Sequence, residues 1–540
     1  MILYISKLII QNYKLFNNVS INMNELVNIF VGENDSGKTT ILEALSMGLT
    51  GKINGSSIMS KLNADWFNIN VRNQYKDKIE KGEKTKLPCI DIEIFFEGLL
   101  DKDSYFHHYR GANNSLREDA IGVKLSIKFN DEYSATYQQL LKKKKVIDIP
   151  VELYKVEFSS FAQPEYYVAK TANIIASIDT TKKDYGTVLN RFVSNSIANY
   201  LSEEDETNLR LAYRSNRKDF INNPVVEGLN SKLKEEYKFG SKEISLNLRE
   251  GEIDDWKKEM SLSVDKIPFE NSGFGTQNMI KSEMVFDQNA DVDFLILEEP
   301  ENNLSYSNMS ILISKLSDNN TKQLFISTHS SFVANKLGLN NLHLVSNRKT
   351  NPLTDLPKDA YDFFVKLPGY NTLRVLLANK IILVEGPADE LIIQRAYLDA
   401  YGKLPINDGI DVMSVNGISF KSYCELAKLI DKKIVIVTDN DGSLQRVKKR
   451  YEKYNNVLLC VEEDENFNTL EPAVLNENKE DFSNFENIIY KGSKDLDYKA
   501  LCEYMLNNKT TWAMRVFLSK ENILYPSYIK KAIRAYIDGK

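Results

Sequence analysis

The sequence predicts an α/β protein: a parallel-sheet domain interrupted by a helical insert, then a second, Rossmann-like parallel-sheet domain. Three observations carry this. Residues 1 to about 50 run strand, turn, strand, Gly-rich loop, helix. Residues 291–336 run strand, acidic turn, helix, strand, helix. At Ile381 a fresh alternation of strands and helices begins, with carboxylates at the strand ends. A chain of 540 residues exceeds one ordinary core, and 42% hydrophobic against 27% charged residues is a globular balance.

Composition excludes several classes. Apolar runs such as Phe294–Leu297 and Ile381–Val384 are far shorter than the roughly 20 residues that span a bilayer, so no membrane partner is expected. The start, MILYISKLII, alternates like a strand and lacks signal-peptide order, so the expected location is cytoplasmic. Cys89, Cys424, Cys460 and Cys502 lie far apart without zinc-ligand neighbours and read as small apolar residues. A net charge of −6 leaves only local basic stripes for nucleic acid: Lys142–Lys145, the group from Arg210 to Lys218, and Arg446–Arg450.

The first functional element is Gly32-Glu33-Asn34-Asp35-Ser36-Gly37-Lys38-Thr39-Thr40, between the apolar strand Val27–Val31 and a helix-forming run. This is a complete Walker A match in its required context. Gly32, Asn34, Gly37 and Thr40 belong to the loop whose backbone N–H groups wrap phosphate oxygens; Lys38 pairs with the β/γ phosphates of ATP, and Thr39 ligates magnesium. Residues 86–98 and 121–129 read as further strands, and about 165–260 turns polar and helical without sustained heptads, which suits a compact dimerisation insert. Asn271-Ser272-Gly273-Phe274-Gly275-Thr276-Gln277 precedes a second apolar strand, Phe294–Leu297, which ends in Glu298-Glu299-Pro300-Glu301. That strand reads as Walker B, with Glu298 on magnesium and Glu299 as the base for the attacking water. Strand Gln323–Ile326 then delivers His329 within reach of a γ-phosphate.

A Pro- and Asn-containing stretch, 346 to about 372, suits a linker. The expected domains are therefore 1–164 and 261–345 for the split ATPase, 165–260 for the insert, 346–375 for the linker and 376–540 for the last domain. In that domain strand Ile381–Val384 ends at Glu385, with Asp389 one helical turn on, and strand Ile434–Val437 leads to Asp439-Asn440-Asp441. The carboxyl ends of parallel strands gather such ligands at one place. Crowded carboxylates require cations, and an all-oxygen set selects Mg2+ or Mn2+ over zinc. Metal ions there would clamp the attacking water and the leaving oxygen of a phosphodiester. Glu471 is a further acid, and Arg446–Arg450 offers a grip on a DNA backbone.

In order and wording (VGENDSGKTT, SGFGTQ, EEPE, STHS, VEGPADE, TDND, NKTTWA) the chain resembles the OLD (overcoming lysogenization defect) family of ATP-dependent nucleases over nearly its whole length. The resemblance implies an ABC/SMC-type ATPase with a C-terminal Toprim domain. Ser272 and Gly273 would cap ATP on the opposite subunit of a head-to-head homodimer or tetramer. Glu385, Asp389, Asp439, Asp441 and Glu471 would hold the metals, with Lys509 beside them. The order also resembles the Gabija phage-defence nucleases, which implies a helicase partner. The implied activity is a metal-dependent DNA endonuclease or nickase regulated by ATP. The other reading is an SMC/RecF-like DNA-binding ATPase with a non-cleaving Toprim docking module. The chain departs from the plain ABC pattern in its signature loop, in Glu298 where Asp is commoner, and in the turn ENNLSYS.

Overall fold

The computed structural model describes residues 3–53, 56–83, 85–98, 105–142, 148–162, 175–179, 201–237, 244–248, 255–260, 262–286, 293–366, 370–415, 420–493 and 495–537. Strands β1 (Tyr4–Tyr13), β2 (Phe16–Asn22) and β3 (Val27–Val31) lead into helix α1 (Lys38–Thr50). β4 (Ile90–Glu97), β5 (Ala120–Phe129) and β6 (Tyr154–Ser160) join β2 and β1 in an antiparallel sheet of order β2-β1-β4-β5, with β6 on β5. Apolar residues of β1 and β4 alternate inward against α1, and that face buries Ile5, Leu8, Ile92, Ile94 and Leu45.

The second sheet is parallel, as the buried apolar strands require. It contains β7 (Ile175–Asp179), β8 (Phe294–Glu298), β9 (Gln323–Ser327), β3, β10 (Leu342–Ser346) and the antiparallel edge β11 (Lys349–Pro352), in the order β7-β8-β9-β3-β10-β11. β7 lies inside the stretch expected as insert. It pairs with β8 over all five residues, from Ile175 with Phe294 to Asp179 with Glu298, so the sheet extends past 164. Within that stretch the described helices are α2 (Glu203–Ile221), opened by a Ser202/Asp205 capping box, and α3 (Pro224–Glu236), neither burying any residue, and the short Asp255–Glu259, where Trp256 is buried. Its residues 165–174 and 180–200 lie outside the described residues, as do Lys143–Lys145 of the first basic run.

In the stretch 346–375, expected as a linker, the described residues 346–366 and 370–375 are folded. After β11 it forms α4 (Lys358–Lys366), whose Ala360 and Phe364 are buried, and enters α5 (Tyr370–Leu377). The last sheet is all parallel, in the order β13-β12-β14-β15, from β12 (Lys380–Val384), β13 (Ile410–Ser414), β14 (Ile434–Val437) and β15 (Val457–Cys460). One apolar cluster runs from Ile29, Leu297 and Ile326 through Phe364 and Val375 to Leu383 and Ile436, so the two parallel sheets share a core. Among the described residues no helix is long and apolar enough to cross a membrane.

Candidate nucleotide and metal sites

β3 points its carboxyl end at the loop 32–37, and two glycines there are fixed by geometry. A Cβ on Gly32 would stand 2.2 Å from the Val345 carbonyl of β10, and Gly37 has φ 111° at the start of α1. Lys38 is buried, and its Nζ donates to the carbonyls of Gly32 (3.1 Å) and Glu33 (2.9 Å). Burial pulls its pKa down, against the opposing field of Glu299, Asp35, Glu298 and Glu301. Thr39 Oγ1 donates to Glu298 at the end of β8, so the two expected magnesium-side residues touch. Thr40, on α1, is buried.

Glu299 follows in the left-handed region (φ 46°), with its N–H on Ser327 of β9 (3.0 Å) and a carboxylate oxygen accepting from Asn302 (2.7 Å). The other oxygen lies 3.4 Å from His329 Nε2. Burial, then Lys38, pulls the His329 pKa down, which favours a neutral ring. Beneath it Glu301 Oε1 accepts from Thr328 Oγ1 (2.6 Å), His329 N (3.0 Å) and Ser330 N (3.2 Å), a clamp that the motif alone did not assign. Glu299, Glu301, Asn302, His329 and Ser330 line a cleft of about 960 Å³ with Glu33, Asn34, Asp35, Leu377 and Asn379. A cleft of that size with a phosphate loop at one end suits a nucleotide. Ser272 and Gly273 are not on it. They sit at the start of helix Phe274–Phe286, where a Cβ on Gly275 would meet the Asn303 carbonyl at 2.6 Å.

In the last domain Glu385 leaves the end of β12 and turns toward β14, accepting from Thr438 Oγ1 and from Asp439 N (3.0 Å). Asp389 stands in the first turn of α6 (Pro387–Tyr401), accepting from Gly386 N (3.0 Å). Burial, then Glu385, pushes the Asp389 pKa up to about 7. Burial and the fields of Glu385, Asp389 and Glu471 push Asp439 up to about 8, eased by Lys509. Glu471 is 1% exposed, its Oε2 has no hydrogen-bond partner among the described residues, and Lys509 Nζ stands 3.6 Å from its Oε1. Glu385, Asp389, Asp439, Glu471 and Lys509 thus share one electrostatic field. Asp441 sits on the exposed turn just beyond, with φ 51°.

As they stand, no three His, Cys, Asp or Glu among the described residues surround one point closely enough to coordinate an ion. The donor set still fits a hard divalent cation. Its donors are all oxygen, one buried carboxylate oxygen has no partner among the described residues, and burial, then neighbouring carboxylates, raises the pKa of Asp389 and Asp439. Two supports escaped the sequence reading. Fully buried Asn440 ties the turn down through the carbonyls of Glu462 (3.2 Å) and Asp464 (3.1 Å). Tyr528 is buried within the field of Asp389, Asp439, Glu462 and Glu471. The basic residues of α7 (Leu444–Tyr451) are exposed, while Val447 and Tyr451 anchor it.

The family model described as AAA ATPase domain matches residues 3–334, more than half of the chain. The chain belongs to this family. A second model, the TOPRIM domain of proteins like overcoming lysogenization defect protein, matches residues 376–441, the part of the ATPase chain that carries Glu385, Asp389, Asp439 and Asp441. Endonuclease GajA of Bacillus cereus (strain VD045) is 23% identical over 483 residues, 82% of this chain and 76% of that one. RecF, a DNA replication and repair protein of Clostridium botulinum (strain Eklund 17B / Type B), is 42% identical over 96 residues, 18% of this chain and 25% of that one. Among solved structures, an SmcHead bound to the C-winged helix domain of ScpA matches at 14% identity and TM-score 0.34, covering 62% of this chain and 92% of that one. The C-terminal region of the Xanthomonas campestris pv. campestris OLD protein matches at 21% identity and TM-score 0.24, covering 30% and 93%. The fold assignment rests on the sheet order and the family models.

Proposed function

We propose that this ATPase is a metal-dependent DNA endonuclease or nickase, regulated by ATP bound in the cleft of its first domain. The observation that carries the reading is that Glu385, Asp389 and Asp439, at and just past strand ends of a TOPRIM domain, share one electrostatic field with Glu471 and Lys509 from later helices, in one chain with a complete phosphate-loop motif. Similarity to an endonuclease over most of both chains supports it. Glu385, Asp389, Asp439, Asp441 and Glu471 are the proposed ligands of Mg2+ or Mn2+. A divalent cation held there supplies an activated water and neutralises charge on a phosphodiester. Lys509 places its ammonium where negative charge develops, and α7 presents Arg446, Lys448, Lys449 and Arg450 to the DNA backbone.

In the cleft, Lys38 and the loop 32–37 grip the phosphates, Thr39 and Glu298 hold magnesium, and Glu299 with His329 orients water. The proposed assembly is a homodimer or tetramer formed through the ATPase domain, in which Ser272 and Gly273 complete a partner's nucleotide site. The proposed setting is a cytoplasmic phage-defence role beside a helicase partner.

Supercoiled plasmid incubated with Mg2+ or Mn2+, with and without ATP, tests the reading against Glu385→Ala. Nicked or linear product that disappears in the variant and in EDTA supports it. Product that persists in Glu385→Ala overturns the site. DNA-stimulated ATP hydrolysis without strand breaks favours an SMC/RecF-like DNA-binding ATPase instead.

A further inference from the structure

Lys432 lies in neither site and is 9% exposed. It sits in the turn before β14, its main chain held by Lys432 N on the Ala427 carbonyl (2.8 Å) and by Asn456 Nδ2 on its own carbonyl (2.9 Å). Its Nζ is surrounded by oxygen: the carbonyls of Ala378 (2.6 Å), Leu376 (3.1 Å) and Val375 (3.3 Å), and Glu33 Oε1 (2.7 Å). The three carbonyls are the end of α5, the negative pole of a helix and the segment that enters β12. The fourth acceptor belongs to the phosphate loop, 399 residues away. A buried ammonium is costly unless fully paired, so these four oxygens are bound into one unit.

Glu33 is where two lysines meet. Its carbonyl takes Lys38 at 2.9 Å, and its carboxylate takes Lys432 at 2.7 Å. A phosphate competes for Lys38 and so acts on the residue that supplies the counterion of Lys432. Lys432 in turn fixes the entry ends of β12 and β14, whose other ends carry Glu385 and Asp439. The distance is short for a strand: seven residues at roughly 3.3 Å each, about 23 Å. Leu377 and Asn379, which flank the clamped carbonyl of Ala378, also line the nucleotide cleft.

We infer that Lys432 is a positioning residue that transmits nucleotide occupancy from Glu33 of the phosphate loop to the two strands bearing the metal-site carboxylates. The inference rests on the proposed nucleotide site and names the route of its regulation. A lysine that merely capped α5 would be satisfied by the three carbonyls and indifferent to ATP.

Hydrogen exchange of the full chain, with and without saturating Mg-ATP, tests this in wild type, Lys432→Met and Glu33→Gln. A fluorescent ATP titration in each protein sets the saturating concentration. In wild type, ATP is expected to slow exchange about threefold or more in 380–385 and 431–438 as well as in 32–40. In Lys432→Met the change in 380–385 and 431–438 disappears while that in 32–40 remains, and in Glu33→Gln the change in 380–385 and 431–438 disappears at an ATP concentration that the titration shows to saturate that variant. A wild-type response confined to 32–40, or one that survives in both variants, overturns the inference. Absence of any fluorescent ATP binding by wild type overturns the nucleotide reading itself, and this inference with it. Glu33 is partly exposed, so Glu33→Gln carries the test if Lys432→Met does not fold.

Discussion

Glu301 offers the sharpest quantitative test of the nucleotide cleft. One carboxylate oxygen takes three hydrogen bonds from residues 328–330, and Thr328 is fully buried. In Glu301→Ala, Ser330 N keeps Thr328 Oγ1 as a partner at 2.9 Å, which leaves His329 N and the Thr328 hydroxyl as the groups that lose their acceptor. At about 1–3 kcal/mol for each buried donor, partly offset by removing a carboxyl whose pKa burial already raises, the expected loss is about 2–4 kcal/mol. At about 2–4 °C per kcal/mol for a large domain, that is a fall in Tm of roughly 4–16 °C. Glu301→Gln keeps an acceptor oxygen in place and is expected within about 1 kcal/mol of wild type. Because the clamp sets where His329 meets Glu299, ATP turnover in Glu301→Ala is expected to fall about tenfold or more, with recovery in Glu301→Gln. Thermal unfolding and phosphate release at saturating ATP read both effects. Glu301→Ala with unchanged Tm and turnover would refute the clamp, and Glu301→Gln as damaged as Glu301→Ala would show that charge, not the oxygen contacts, matters.

Three further outcomes are expected. Lys38→Ala removes the only loop ammonium expected on the phosphates and should weaken fluorescent ATP binding about tenfold or more; unchanged affinity would contradict the phosphate-loop role. Buried His343 stacks on Phe30 (centroids 5.2 Å) and meets Asn28 Oδ1 at 3.0 Å, and burial lowers its pKa from 6.5 to about 4. The unfolded chain gains a proton below about 6.5 while the fold resists until about 4, so stability is full above that window and falls by about 3 kcal/mol as pH drops through it. Urea midpoints for His343→Gln should vary less between pH 4.5 and 6.5 than those of wild type, and an equal slope would rule this out. Replacing Lys448, Lys449 and Arg450 with Ala should weaken DNA binding and flatten its salt dependence by roughly 0.9 for each phosphate that is no longer neutralised; an unchanged slope would place the DNA elsewhere.

The phosphate loop was legible because everything it needs is local: a strand, two constrained glycines, a lysine and a helix within a short stretch. The strand-end acids were legible for the same reason, since an apolar strand that stops at a carboxylate advertises a site. Ile175–Asp179 reads as part of the insert because the stretch around it is polar, and only its pairing with Phe294–Glu298 makes it part of the sheet. The stretch 346–375 read as a linker from its Pro and Asn residues, but the apolar stripe of Lys358–Lys366 buries Ala360 and Phe364 in the core shared by the two parallel sheets. The Lys432–Glu33 pair had no signal at all: a lysine before a strand looks like surface until a carboxylate from the other end of the chain appears beside it.

The proposed metal site among Glu385, Asp389, Asp439 and Glu471 can be located by anomalous diffraction from crystals soaked in Mn2+. A manganese peak among these acids that vanishes in Asp439→Ala is the expected result. Manganese found only beside Thr39 and Glu298, with none among those four acids, would contradict it.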